Sequence, residues 1–148
     1  MVFGGISHNC KLDLRRVLGG ITGDKYARLL SYQVIPEILR KKGQNFIFVQ
    51  DNAPPHRSNR AQAALRRRNV EQLEFWPPNS YDLNPIENIW GIIKNRIRRR
   101  NPQNLNELWA MAQEEWRDLP QATINECVDS MPERILSVLR ARGGRTRY

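Results

Sequence analysis

Two carboxylates in this 148-residue sequence stand where metal-assisted chemistry could be built. Asp51 closes the segment Phe46-Ile47-Phe48-Val49-Gln50-Asp51, and Glu87 closes Asn84-Pro85-Ile86-Glu87, with 35 residues between the two acids. Hard divalent cations such as Mg²⁺ take oxygen ligands, which Asp and Glu supply, and two acids brought to one point without a cation repel. The run Phe46 to Val49 is short, wholly apolar and bounded by polar residues and prolines, which predicts a strand covered on both faces. Asp51 then falls at the carboxyl end of a buried strand, where open α/β sheets bind ligands. Taken alone, the position is better explained by an Asx-turn of Asp51 and Asn52 that closes the strand before Pro54-Pro55.

The second acid belongs to a helix. Asn84-Pro85 predicts its start, with Asn as cap and Pro at the first helical position. Ile86, Ile89, Trp90, Ile93 and Ile97 fall on one face and predict burial. Glu87, Gly91, Lys94 and Arg98 share a neighbouring strip about 60° wide at about 100° per residue. That strip carries an acid, then a glycine that leaves room for a phosphate backbone, then two cations. A solvated face usually alternates its charges, whereas Lys94, Arg96, Arg98, Arg99 and Arg100 follow one another with no acid among them. These five are the expected DNA contacts, since phosphate contacts supply most nonspecific affinity.

Composition points the same way. A net charge of +9 on a chain this short favours a polyanionic partner, most simply nucleic acid. Apolar content of 40% is enough for a globular core. No apolar run approaches the roughly 20 residues of a membrane helix, and no signal peptide opens the sequence. An intracellular protein without a membrane partner is expected. Cys10 and Cys127 have no metal-ligand spacing and read as free buried thiols; His8 beside Cys10 reads as a turn.

The remaining elements position the acids. Val2 to Ile6 and Lys11 to Leu18 predict a hairpin around Ser7-His8-Asn9-Cys10. Thr22 caps a predicted helix with the stripe Tyr26, Leu29, Leu30, Val34, Ile38 and Leu39, and Pro36 predicts a kink near Val34. Ser58 caps a helix that buries Ala61, Ala64 and Leu65 and ends on Arg66, Arg67 and Arg68. Those arginines suit the helix dipole and the basic surface equally. Val70 to Phe75 predicts a second, parallel strand, and Trp76 to Ser80 a stiff proline-rich loop. Asn104 with Glu107, and Ser130 with Glu133, predict capping boxes. Between and after them lie helices with Leu105, Leu108, Trp109, Ala112 and Trp116 inward, then Ile124 and Val128, and a last helix ending near Leu139 or Arg140.

Two motifs carry a family resemblance: Asp51-Asn52-Ala53-Pro54-Pro55-His56, and Trp76-Pro77-Pro78-Asn79-Ser80-Tyr81-Asp82-Leu83-Asn84-Pro85-Ile86-Glu87. Together they resemble the catalytic domain of the Tc/mariner superfamily of transposases, the DDE recombinases, with Tyr81 where proline is usual. The resemblance runs the length of the chain. It implies an α/β fold, a ribonuclease-H-like mixed sheet flanked by helices with a helical carboxyl-terminal part. Residues 1–148 are expected to be one partial catalytic domain, with a mobile basic tail over 140–148.

The resemblance also implies cleavage and joining of DNA strands by two Mg²⁺ or Mn²⁺ ions about 3.5 to 4 Å apart. Asp51 matches the family's second acid and Glu87 its third, so both are the expected catalytic and metal-binding residues. Asn52 and His56 are expected accessories. DNA is the implied partner and the nucleus the implied compartment; a homodimer stays open. No residue matches the first Asp, which the family carries on a central strand placed before Met1. The expectation is therefore an amino-terminally truncated domain without that strand, with open backbone edges and no activity by itself. Asp13, on a later hairpin strand, does not replace it. Two alternatives remain: a non-catalytic nucleic-acid-binding remnant of a transposase, and a ribonuclease-H-like nuclease that cuts without joining. In the second, His56 assists proton transfer or is merely a turn residue.

Overall fold

Short strands and eight α-helices make up the computed structural model, which describes residues 1–73, 76–77, 80–142, 144 and 146. Two compact units emerge: residues 1–3 with 15–79, and residues 4–14 with those from Ser80 onward.

In the first unit, β1 (Val2–Phe3) pairs antiparallel with β4 (Arg15–Arg16). α1 (Gly23–Leu29) starts where Thr22 Oγ1 accepts the Lys25 N–H at 3.3 Å. The predicted kink before Pro36 is a π-helical turn over Leu30–Val34, leading into α2 (Ile35–Lys42). There the Ile35 N–H bonds the Leu30 carbonyl, five residues back. Widening the ladder at this point absorbs the donor that Pro36 lacks. The wider turn also rotates the stripe, so Ile35 joins Tyr26, Leu29, Leu30, Val34 and Ile38 in the core while Leu39 is only half-buried. Gly43, at φ +70°, ends the helix.

The strand of Asp51 departs from expectation. Phe48 and Gln72 form an isolated parallel bridge, with Phe48 N–H to Glu71 O at 2.8 Å and Leu73 N–H to Phe48 O at 3.2 Å. Ile47 and Val49 are 55% and 46% exposed, so the strand is covered on one face and not on both. Side chains alternate across a strand, and only the Phe46 and Phe48 side has cover. Of the predicted Val70 to Phe75 strand, Glu74 and Phe75 lie outside the described residues, as do Pro78 and Asn79 of the following loop. α3 (Pro54–Arg57) precedes α4 (Asn59–Arg67), whose first turn Ser58 caps through its hydroxyl to Ala61 N–H.

In the second unit, β2 (Ile6–Ser7) pairs antiparallel with β3 (Cys10–Lys11) around a two-residue turn in which Asn9 takes φ 59°. The single predicted hairpin is thus two ladders, with registers one residue apart because Leu12 to Leu14 face Gly4 and Gly5. A 3₁₀ turn at Tyr81–Leu83 leads into α5 (Pro85–Arg100), followed by α6 (Leu105–Asp118), α7 (Gln121–Asp129) and α8 (Met131–Arg140). Their core joins Ile89, Ile93 and Ile97 to Ala112, Trp116, Leu119 and Ile124. Trp116 stacks on Trp90 with ring centroids 5.2 Å apart, and its indole N–H reaches the Leu12 carbonyl at 2.8 Å.

Three expectations fail in this unit. Asn84 does not cap α5 with its side chain; its carbonyl accepts the Glu87 N–H instead. Leu105 and Leu108 are exposed, because Leu108 sits in an open groove and not in the core. Ser130 adopts helical backbone angles and gives its hydroxyl to the Cys127 carbonyl, so no capping box forms with Glu133. The Asn104–Glu107 box does form: Asn104 Oδ1 takes the N–H groups of Asn106 and Glu107, and the Glu107 carboxylate reaches back to Gln103 N–H. Cys10 and Cys127 are free thiols. Of the predicted tail, Arg140 closes α8, while Gly143, Arg145, Arg147 and Tyr148 lie outside the described residues.

Candidate active site

Asp51 is held from one side. Its Oδ1 accepts the Ala53 N–H at 3.0 Å, which is the Asx-turn, and also meets His56 Nδ1 at 2.6 Å. No hydrogen bond from the described residues reaches Oδ2. Ala53-Pro54-Pro55 turns the chain sharply enough to bring His56 back, since the His56 N–H bonds the Ala53 carbonyl. The imidazole lies against the Tyr26 ring, centroids 4.2 Å apart and 35° from parallel. Tyr26 is 1% exposed and donates its phenol to Gln50 Oε1 at 2.6 Å. Burial, and secondly the charge of Asp51, push its pKa well above the ordinary tyrosine value. Asn52 Nδ2 donates to the Trp76 carbonyl at 2.7 Å, fixing the start of the proline-rich loop.

Glu87 stands in the first turn of α5, in the second unit. It is half-buried, and none of the described residues gives its carboxylate a hydrogen bond or an ion pair. Glu71, Glu126 and Glu133 lack such partners as well, but all three are exposed to water. Beside Glu87, Arg134 is 2% exposed and donates to Ser130 Oγ, to the Asp82 carbonyl at 2.9 Å and to Asn88 Oδ1 at 2.8 Å. It ties α8 to both the turn before α5 and the residue after Glu87. Thr146 Oγ1 adds a bond to the Asp82 carboxylate at 2.9 Å. Sequence reading missed Arg134. Its signal was a lone cation between Met131 and Val138 on the inward face of α8.

The basic stretch divides. Arg96 pairs with Glu115, and Arg100 with Glu114 and Glu115, all from α6. Lys94, Arg98 and Arg99 are exposed and have no acidic partner among the described residues. Lys94 and Arg98 line a surface groove of about 380 Å³ with Ile97, Asn101, Pro102 and Leu108. A Cβ at Gly91 would meet nothing within 4 Å, so the strip from Glu87 to Arg98 is open at its middle.

No group of three or more His, Cys, Asp or Glu side chains among the described residues is placed to hold a metal ion. Asp51 and Glu87 lie in different units, and each offers a carboxylate oxygen that no described residue occupies. Such oxygens fit a hard divalent cation. His8, in the hairpin turn, meets Asp129 at the end of α7, Nε2 to Oδ2 at 3.4 Å.

The fold is the ribonuclease-H-like α/β fold of mariner transposase catalytic domains. The catalytic domain of Mos1 transposase, solved with raltegravir and Mg, superposes with a TM-score of 0.87 over 99% of this chain and 76% of that one, at 15% identity. The Mos1 strand transfer complex gives 0.77 over 90% of this chain and 39% of that one, at 18% identity. Residues 2–109 match the family described as DDE superfamily endonuclease. The chain belongs to this family. All of it aligns with the Tcb1 transposase of Caenorhabditis briggsae at 33% identity and with the Tc1 transposase of Caenorhabditis elegans at 32%, covering 54% of each. The chain thus spans about half the length of the curated relatives it matches.

Proposed function

We propose that this chain belongs to the machinery that cuts and joins DNA strands in transposition, with Asp51 and Glu87 as its divalent-cation ligands. The observation that supports this best is Glu87, a half-buried residue in the first turn of α5 whose carboxylate has no partner among the described residues and is therefore available to a hard cation. Asp51 supplies the second carboxylate, with one oxygen held by the chain and one left over. Bound there, Mg²⁺ or Mn²⁺ would polarise a phosphodiester and make the attacking hydroxyl more acidic. Asn52 anchors the loop that precedes α5. Lys94, Arg98 and Arg99 hold DNA phosphates directly, and Arg96 and Arg100 contribute once released from Glu114 and Glu115. DNA is the proposed partner and the nucleus the proposed compartment. Two carboxylates are one fewer than the family's chemistry uses, so the chain by itself is expected to bind Mn²⁺ weakly and not to transfer strands.

Manganese titration followed by electron paramagnetic resonance tests the assignment. Asp51→Asn and Glu87→Gln should each weaken binding by about tenfold or more, while metal-free DNA binding stays unchanged. Binding that neither substitution alters would overturn the ligand assignment. Mg²⁺-dependent strand transfer by this chain alone, abolished in Asp51→Ala, would overturn the expectation that these two acids do not suffice for it.

A further inference from the structure

We propose that His56 is a positioning residue for Asp51: its Nδ1–H fixes Oδ1, so that Oδ2 is the oxygen offered to a cation. This rests on the reading of Asp51 as a metal ligand. Asp51 sits on the surface, with its side chain 56% exposed, and an unrestrained carboxylate there would spend most of its time in other rotamers. Two donors prevent that. The Ala53 N–H and His56 Nδ1 converge on the same oxygen, at 3.0 and 2.6 Å.

The histidine is itself held, which separates it from a casual turn residue. Its side chain is only 20% exposed, its ring rests on buried Tyr26, and its carbonyl takes a 2.9 Å bond from Gln62 Nε2 on α4. Gln62 Oε1 in turn accepts from Gln72 at 3.2 Å, beside the Phe48–Gln72 bridge, and Tyr26 bonds Gln50, the residue before Asp51. The loop from strand to α3 is therefore tied to α1, α4 and the bridge, and the imidazole cannot swing away without breaking a packed contact. A carboxylate acceptor requires that Nδ1 carry the proton. Partners of this kind orient a ligand before a cation arrives, and losing one typically weakens metal binding by about tenfold.

Asparagine and glutamine provide the test. The amide nitrogen of Asn stands where Nδ1 stands, and that of Gln where Nε2 stands. His56→Asn should keep Mn²⁺ affinity within about threefold of wild type, whereas His56→Gln and His56→Ala should lose about tenfold. A second measurement needs no metal and no His56 variant: nitrogen-15 NMR of the wild-type chain should show His56 protonated at Nδ1, with a downfield, slowly exchanging proton that disappears in Asp51→Asn. A His56 with its proton on Nε2 alone overturns the proposal, as does His56→Gln binding Mn²⁺ like wild type. If Asp51→Asn itself leaves Mn²⁺ binding intact, the ligand reading fails instead, and the NMR result still decides the hydrogen bond.

Discussion

Gly4 meets two indoles. A Cβ at this position would lie 2.8 Å from Trp116 Cη2 and 3.0 Å from Trp90 Cη2, and both rings are fixed by their mutual stacking and by the Trp116–Leu12 bond. Gly4→Ala should therefore destabilise the chain by about 1–3 kcal/mol, read from the urea midpoint. Tyr26 gives the stability a pH signature. Its pKa is raised in the folded state, so the folded chain favours the neutral phenol. That contribution is complete below the ordinary tyrosine value of about 10 and is lost as pH rises above it. Urea midpoints measured from about pH 8 to about pH 11 should fall at the alkaline end, and Tyr26→Phe should flatten part of the fall. At this scale the sequence spoke clearly where a residue acts on its neighbours: Asp51 with Ala53, Thr22 with Lys25, Asn104 with Glu107. It was silent on Arg134, whose partners include Asp82 and Asn88, 52 and 46 residues away.

Helix boundaries follow from capping and periodicity, and α5 begins at Pro85 as its sequence predicts. What holds its first turn in place comes from α8. Arg134→Leu leaves the part-buried Asp82 carbonyl and Asn88 Oδ1 without that donor, and should cost about 1–3 kcal/mol by urea unfolding. Faster hydrogen exchange at the first-turn amides of α5 should accompany the loss. The Phe46–Val49 strand makes the opposite point. Its Ile47 and Val49 side chains are half-exposed, and no backbone hydrogen bond from the described residues reaches either one. An open apolar edge pairs readily with another strand. Light scattering should show concentration-dependent self-association that Val49→Lys reduces; equal association in the variant would place the sticky surface elsewhere. An apolar run announces a strand but not how many of its faces are covered, because cover depends on what packs beside it.

For the whole molecule, a charge of +9 on 148 residues predicts DNA binding that weakens steeply with salt. Neutralising Lys94, Arg98 and Arg99 together should lower the slope of log affinity against log salt by about 2 to 3, near 0.9 per phosphate contact. Neutralising Arg96 and Arg100, already paired with Glu114 and Glu115, should lower it less. Equal effects would mean that those ion pairs open at no cost. By itself the sequence determined the family, the break at Pro36 and most helix limits, since these depend on residue order and on bonds between near neighbours. Only the tertiary structure decided which arginines keep their charge free, which strand face stays open, and that a buried cation from the last helix steadies the turn before Glu87. Those outcomes rest on contacts between residues far apart in the chain, where no local pattern specifies the partner.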